Sequence, residues 1–138
     1  MQRRLIECVP NISEGRDRAK IDAIAAVVET VEGVRLLDVD PGKATNRTVI
    51  TFVGEPDPVC EAVFRLIKKA QEFIDMRGHK GEHPRFGATD VCPLVPISGI
   101  SMEETAQFAR KLGERVGKEL GIPVPLHRKV YAELMMRE

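Results

Sequence analysis

The order in which hydrophobic periodicity changes along the chain constrains the fold more than any other sequence feature. Residues 48–53 are rich in β-branched and aromatic side chains, which is typical of a β-strand. Short apolar runs at 5–9, 34–39 and 91–97 predict three further strands. Between and after these runs, apolar residues recur at helical spacing. The chain therefore alternates strands with helices.

Three amphipathic helices are predicted from apolar stripes with recognisable ends. Ser101 and Glu104 form a capping box at the start of the third helix, and Gly121 ends it. Proline suits the first turn of a helix, and two prolines lie at the start of the second. The predicted helices run from Asp17 to Gly33, from Pro56 to near Met76, and from Ser101 to Gly121.

The resulting order, β-α-β-β-α-β, predicts an α+β fold, namely a ferredoxin-like sandwich with an added C-terminal helix or strand. Residues 122–126 are expected to form a short strand, and 128–138 a frayed helix. Because the chain has only 138 residues, we expect a single domain over 1–138. Periodicity predicts a core of Leu5, Ile24, Val28, Leu36, Ile50, Phe52, Val63, Ile67, Val91, Ala109 and Val116. The helices of such a fold cover one sheet face, so the other face needs a partner or polar residues.

Composition excludes several classes of partner. The 21 basic and 21 acidic residues balance, and aromatic residues make up only 4%, so no nucleic-acid partner is expected. No apolar stretch approaches the ~20 residues of a membrane span, so no membrane partner is expected. Three widely spaced cysteines, Cys8, Cys60 and Cys92, lie in apolar runs and are interpreted as reduced core thiols. A cytoplasmic location follows from that interpretation.

A polar loop at residues 78–87 is the first candidate site. His83 is the better general-base candidate, because a neutral imidazole exchanges protons near pH 7 and Glu82 and Arg85 flank it in the same turn. An ordinary surface turn is the alternative interpretation. Zinc binding by His79 and His83 is also open, although the glycine and proline nearby disfavour the helix that this spacing requires, and we expect no metal.

The second candidate site is the polar loop at residues 40–47. Lys43 and Arg47 suit the binding of an anion, and Asp40 suits hydrogen bonding. The same charges, with Asp38, are also typical of a solvated turn. Residues 41–43 lack the full phosphate-loop pattern, so the sequence gives little support for a nucleotide site.

Several ordered strings resemble one known family. They are Glu-Cys-Val-Pro-Asn-Ile-Ser-Glu-Gly at 7–15, Leu-Asp-Val-Asp at 37–40, Thr-Asn-Arg-Thr-Val at 45–49, Ile-Asp-Met at 74–76, Gly-Glu-His-Pro-Arg at 81–85 and Asp-Val-Cys-Pro at 90–93. From about Leu5 to Leu126 the chain resembles the N-terminal subdomain of glutamate formiminotransferase.

The resemblance implies a function and a set of site residues. Enzymes of that family have two similar ferredoxin-like subdomains with folate in a tunnel between them. They transfer a formimino group from formiminoglutamate to tetrahydrofolate, the co-substrate. The resemblance assigns the catalytic base to His83 and substrate positioning to Asp40, Asn46 and Arg47. Lys43 and Arg85 are expected to meet substrate carboxylates. Glu82, beside the histidine, is expected to bind substrate or to orient the imidazole.

Two hypotheses from different classes remain, because the resemblance covers only the first of the two subdomains. In the first, the chain is half of a formiminotransferase, completed by a separate chain with the C-terminal subdomain or by a second copy in a homo-oligomer. In the second, it is a non-catalytic module that binds folate or a small anion, or a regulatory module of the same fold. The Gly-Glu-His-Pro-Arg string favours the first, because a binding module needs no base.

Overall fold

The fold is taken from a computed structural model that describes residues 3–74, 88–122, 126–128 and 132–135. Strands and helices alternate along this part of the chain in the predicted manner. In chain order they are β1 (Leu5–Cys8), β2 (Asn11–Ile12), α1 (Arg18–Val28), β3 (Val34–Gly42), β4 (Arg47–Gly54), α2 (Pro56–Phe73), β5 (Thr89–Ser98), α3 (Met102–Leu120), β6 (Leu126–Arg128) and β7 (Ala132–Met135).

All strands join one antiparallel sheet, in which β1 and β2 occupy the centre. Both lie between β4 and β5, with β3 outside β4 and with β7 and then β6 outside β5. Cys8 stands opposite Phe52 on one side and Leu94 on the other. The α+β class is therefore confirmed, and the first strand of the chain is a central one.

The three helices pack on one face of this sheet. Alternate strand residues such as Ile6, Ile50 and Leu94 are fully buried, and they join one hydrophobic cluster with residues of all three helices. Their sequence neighbours point to the opposite face, because successive side chains of a strand alternate. We call this opposite side, on which none of the described helices packs, the uncovered sheet face; it carries Leu5, Glu7, Asn11, Arg47, Val49, Thr51, Val53, Val91, Pro93 and Val95, all half-buried.

The helix starts and the end of α3 have the chemistry that the sequence predicts, but α1 ends at Val28, with Glu29 as its C-cap, short of the predicted end at Gly33. Asp17 is the N-cap of α1 and accepts a hydrogen bond from the Lys20 main-chain N–H at 3.3 Å. Ser101 and Glu104 form both bonds of the capping box on α3, and Gly121 ends that helix with a φ of 70°. In the described part of the chain, no helix combines the length and the apolar character needed to cross a membrane.

Three residues that were predicted to be buried in the core are only half-buried. Leu5 and Val91 are only half-buried, because they point to the uncovered sheet face while their neighbours Ile6 and Cys92 enter the core. Leu36 is also half-buried, next to a register shift between β3 and β4. The remaining predicted core residues are all buried.

The C-terminal region differs from its prediction. Residues 132–135, expected within a frayed helix, form a strand that pairs with residues 91–94 of β5. The prolines at 93 and 96 predict that β5 is an edge strand or contains a bulge. It is not an edge strand at residues 91–94, which pair with β7 as well as with the central strands. Register shifts occur in its pairing with β1 and with β2, as a bulge would produce. The main-chain carbonyl of Pro93 accepts a bond from Val9 at 3.2 Å, so this proline still contributes to pairing.

Replacement of Phe52 by alanine tests the one-sided core. Phe52 is fully buried, so we expect Phe52→Ala to lower the free energy of unfolding by about 3–5 kcal/mol. Val53→Ala, on the half-buried opposite face, should cost about 1 kcal/mol. Urea denaturation of the isolated chain measures both, and equal losses would contradict the placement of the core.

Candidate functional site

The β3–β4 hairpin carries every predicted site residue that lies within the described part of the chain. Asp40 is on β3 opposite Val49, Lys43 is exposed in the turn, and Arg47 begins β4 directly after Asn46. The other predicted site residues, Glu82, His83 and Arg85, lie outside the described residues, as does His79.

A cleft of about 260 Å³ lies beside this hairpin. Asp40 and Arg47 both line it, so an acidic and a basic residue border the same opening. Lys43 and Asn46 do not line it. The complete lining consists of Asn11, Asp40, Pro41, Gly42, Thr45, Arg47 and Val49. Such a pair of charges suits a ligand that carries an anionic group together with hydrogen-bond donors.

Asn11 is a cleft residue that the sequence reasoning missed. Its Oδ1 accepts a hydrogen bond from Arg47 Nη2 at 3.0 Å, and its Nδ2 donates to the Val9 main-chain oxygen at 3.2 Å. The contact joins residues 36 positions apart, so no local pattern reveals it. The available signal is a polar residue directly after Pro10, where the first strand is interrupted.

Asn46 holds the turn of the hairpin. Its φ of 53° lies in the left-handed region, which asparagine tolerates better than most residues. The side chain is 8% exposed, and its Oδ1 accepts a hydrogen bond from the Gly15 main-chain N–H at 2.8 Å. Asn46 therefore faces the chain segment before α1 and does not line the cleft.

Residues 11–16 and the hairpin are joined by several hydrogen bonds, which we call the loop–hairpin clamp. Only glycine at position 15 lets these two segments pack so closely, because a Cβ there would collide with the Gly42 main-chain oxygen. The clamp comprises Gly15 N–H to Asn46 Oδ1, Arg16 Nε to the Lys43 oxygen, Thr48 Oγ1 to the Glu14 oxygen, and Arg47 Nη2 to Asn11 Oδ1. The cleft wall is thus fixed from outside the hairpin.

Buried polar residues concentrate at the same end of the sheet. Of those in the described part of the chain, only Thr105 lies elsewhere. Thr89 Oγ1 is buried and has no hydrogen-bond partner, a cost that apolar packing would avoid. The others at this end are Ser13, Asn46 and Thr48. Packing alone does not explain this polar end, which supports the location of the site.

Comparison with known proteins decides the family. The model of the formiminotransferase domain, N-terminal subdomain, matches residues 5–135. The chain belongs to this family. It is 51% identical over 133 residues to glutamate formimidoyltransferase of Thermoplasma acidophilum, covering 96% of this chain and 43% of that relative. It is 51% identical over 124 residues to formimidoyltransferase-cyclodeaminase of Rattus norvegicus, covering 90% of this chain and 23% of that relative. The chain thus spans less than half of either relative.

The cysteines of this formiminotransferase subdomain are not placed for nucleophilic chemistry. Burial raises the pKa of Cys60 to about 12, and burial with the neighbouring Cys92 thiol raises the pKa of Cys8 well above its usual value. Both thiols therefore stay protonated at neutral pH. Across residues 3–74 and 88–122 no group of three or more potential ligands is arranged to hold a metal ion.

Replacement of Gly15 by alanine tests the loop–hairpin clamp. We expect Gly15→Ala to lower the free energy of unfolding by about 1–3 kcal/mol, because the new methyl group collides with main-chain atoms. Gly117→Ala is the matched control: it lies on the exposed side of α3, where alanine should stabilise the helix by up to about 1 kcal/mol. Thermal and urea unfolding check both, and an unaffected Gly15→Ala would contradict the close approach.

Proposed function

We propose that the chain supplies one half of a formiminotransferase site, which transfers a formimino group from formiminoglutamate to tetrahydrofolate. The cleft that holds Asp40 and Arg47 together, in a chain of this family, carries the proposal. Tetrahydrofolate acts as co-substrate, and the proposal includes no metal.

The proposed reaction moves one carbon between two nitrogens and needs proton transfer at both. N5 of the folate attacks the amidine carbon and forms the new C–N bond, and the attacking amine loses its proton. The bond to the glutamate nitrogen then breaks, and that nitrogen gains a proton. An imidazole suits both transfers, so His83 is proposed as the general base and acid, oriented by Glu82.

Charged residues are proposed to position the substrates. Arg47 and Lys43 face the carboxylates of formiminoglutamate together with Arg85, because guanidinium and ammonium groups pair well with carboxylates. Asp40 accepts hydrogen bonds from the amidine. Asn46 is proposed to act indirectly. Its Oδ1 accepts a hydrogen bond from the Gly15 main-chain N–H and so fixes the main chain beside the site.

We propose that residues 1–138 form a single ferredoxin-like domain. The order β5, β1/β2, β4, β3 supports this, because the corresponding strands of a β-α-β-β-α-β chain stand in the order fourth, first, third, second. One contiguous cluster of buried residues supports the single domain. Three free cysteines favour a cytoplasmic location.

The site is proposed to be completed across the uncovered sheet face. Five valine and leucine side chains there are only half-buried, and Ile97 at the end of β5 is 52% exposed. The relatives continue well beyond the matched length. A C-terminal subdomain, in the same or in a separate chain, or a second copy of this chain is proposed to cover this face. The alternative function is a module that binds folate or a small anion without turnover.

Replacement of His83 by alanine tests the catalytic assignment. With the completing chain present, we expect His83→Ala to lower formimino transfer by roughly 100- to 10,000-fold, the usual contribution of a general base. His79→Ala, in the same segment, should retain activity within about threefold, and both variants should keep their unfolding midpoints. Unchanged transfer in His83→Ala would reject the assignment, and wild-type protein that binds folate without any turnover would favour the binding module.

Sedimentation tests the role of the uncovered sheet face. We expect the chain to associate with itself or with the completing chain at micromolar concentration, and Val53→Lys to abolish association because it buries a charge in the contact. Ala26→Lys, exposed on α1, should leave association unchanged. If the wild-type chain stays monomeric and also does not bind the completing chain, the result would count against an interface on this face.

A further inference from the structure

We propose that Gly42 is a specificity-determining residue of the cleft, where formiminoglutamate occupies the space that a side chain would otherwise fill. This inference rests on the proposed function and deepens it, because it assigns one of the two substrates to the cleft. Gly42 lines the cleft together with Asp40 and Arg47, and its contribution is the absence of a side chain.

Gly42 lies on the same sheet face as the strand residues that line the cleft. It stands directly opposite Arg47, and Asp40 stands opposite Val49 in the same pairing of β3 with β4. Directly opposite residues of antiparallel strands carry their side chains on one face, which here is the uncovered sheet face. The four positions therefore form a rectangle, and Gly42 is its one corner without a side chain.

The backbone does not require glycine at position 42. Gly42 has no positive φ, and the left-handed conformation in this hairpin turn is adopted by Asn46 instead. A glycine in a strand costs conformational entropy and contributes no side-chain packing, so ordinary dihedral angles leave its presence unexplained. Close approach of a ligand to the main chain is a reason for glycine that does fit.

The folded chain leaves space for a side chain at position 42. A Cβ there would lie 3.0 Å from Thr45 Oγ1 and 3.5 Å from the Arg47 main-chain oxygen, and within 4 Å of no other described atom beyond its sequence neighbours. Thr45 Oγ1 can rotate away, because its hydrogen bond to the Gly42 oxygen is long, at 3.5 Å. Glycine at position 42 is therefore a property of the cleft and not a requirement of the fold.

The size of the cleft favours the smaller of the two substrates. Sites for drug-sized ligands have volumes of roughly 300–1,000 Å³, whereas the cleft has about 260 Å³. Formiminoglutamate is an amino-acid derivative and is much smaller than tetrahydrofolate. Asp40, which is proposed to accept hydrogen bonds from the amidine, lies two residues from Gly42 on the same face. An amidine bonded to Asp40 can therefore extend over Gly42.

The kinetics of Gly42→Ala, with the completing chain present, test this proposal. We expect the KM and the Kd for N-formimino-L-glutamate to rise at least about tenfold, because one added methyl group in a fitted site has an effect of this size. The KM for tetrahydrofolate should stay within about threefold. Gly117→Ala, on the exposed side of α3, should change none of these constants. Unchanged formiminoglutamate binding, or an equal loss for both substrates, would overturn the proposal.

Two controls separate an effect on the cleft from an effect on the fold. Gly42→Ala should keep or raise the unfolding midpoint, because alanine fits this backbone and lowers the entropy of the unfolded chain. A midpoint lowered as much as in Gly15→Ala would show that glycine serves the fold and would overturn the proposal. Thr45→Ala in the Gly42→Ala background should not restore binding. Restoration would show that the methyl group acts by displacing Thr45, with the same consequence.

Thiol labelling of Gly42→Cys separates failure of this inference from failure of the proposed function. Iodoacetamide should alkylate this variant rapidly, and N-formimino-L-glutamate at ten times the Kd of the variant should protect it. The wild type should react slowly, because Cys8 and Cys92 are fully buried and burial raises the pKa of Cys60 to about 12.

Slow labelling of the variant would overturn the inference alone, and so would labelling without protection if the wild type binds formiminoglutamate. If the wild type binds no formiminoglutamate, the proposed function is overturned together with the ligand assigned to this space. Rapid labelling in that case would still leave the open position at residue 42 standing.

Discussion

The central position of β1 and β2, between β4 and β5, is the constraint on which the core and the cleft both depend. Pro10 has no main-chain N–H, so the ladder breaks between β1 and β2. The neighbouring strands nevertheless stay attached, because Val9 donates to Pro93 and the Pro10 oxygen accepts from Ile50. The alternation of faces continues through Pro10, which is buried like Cys8 and Ile12, so Asn11 lies on the uncovered sheet face next to a core residue.

Sequence reasoning succeeded where the determining interactions are local. Asp17, Ser101 and Glu104 mark helix starts because a cap is complete within four residues. It failed for Leu5 and Ile6, although Glu7 shares the alternating face of Leu5 and its charge indicates that this face lies away from the core. Residues 132–135 were likewise misassigned, because their strand conformation comes from pairing with β5, about 40 positions away.

The candidate site divides along the same line. The family strings indicated Asp40 and Arg47, and the structure places both on one cleft. The strings also contain Asn11 and Gly15, but only the folded contacts show what these residues do. The side chain of Asn11 contacts Arg47, which lies 36 positions later in the sequence. The main chain of Gly15 contacts Asn46 of the hairpin, 31 positions later. The three remaining predicted site residues, Glu82, His83 and Arg85, stay predictions.

Charge in this protein is organised locally, at the cleft, and not over the molecule as a whole. The 21 basic and 21 acidic residues cancel, so no overall field draws an anion toward the protein. Under the proposed function, attraction of an anion would have to come at short range from side chains such as Arg47 that line the cleft. Buried polar residues make the polar end of the sheet less favourable for packing. The apolar layer between the sheet and the helices provides the stability of the fold that carries this polar end.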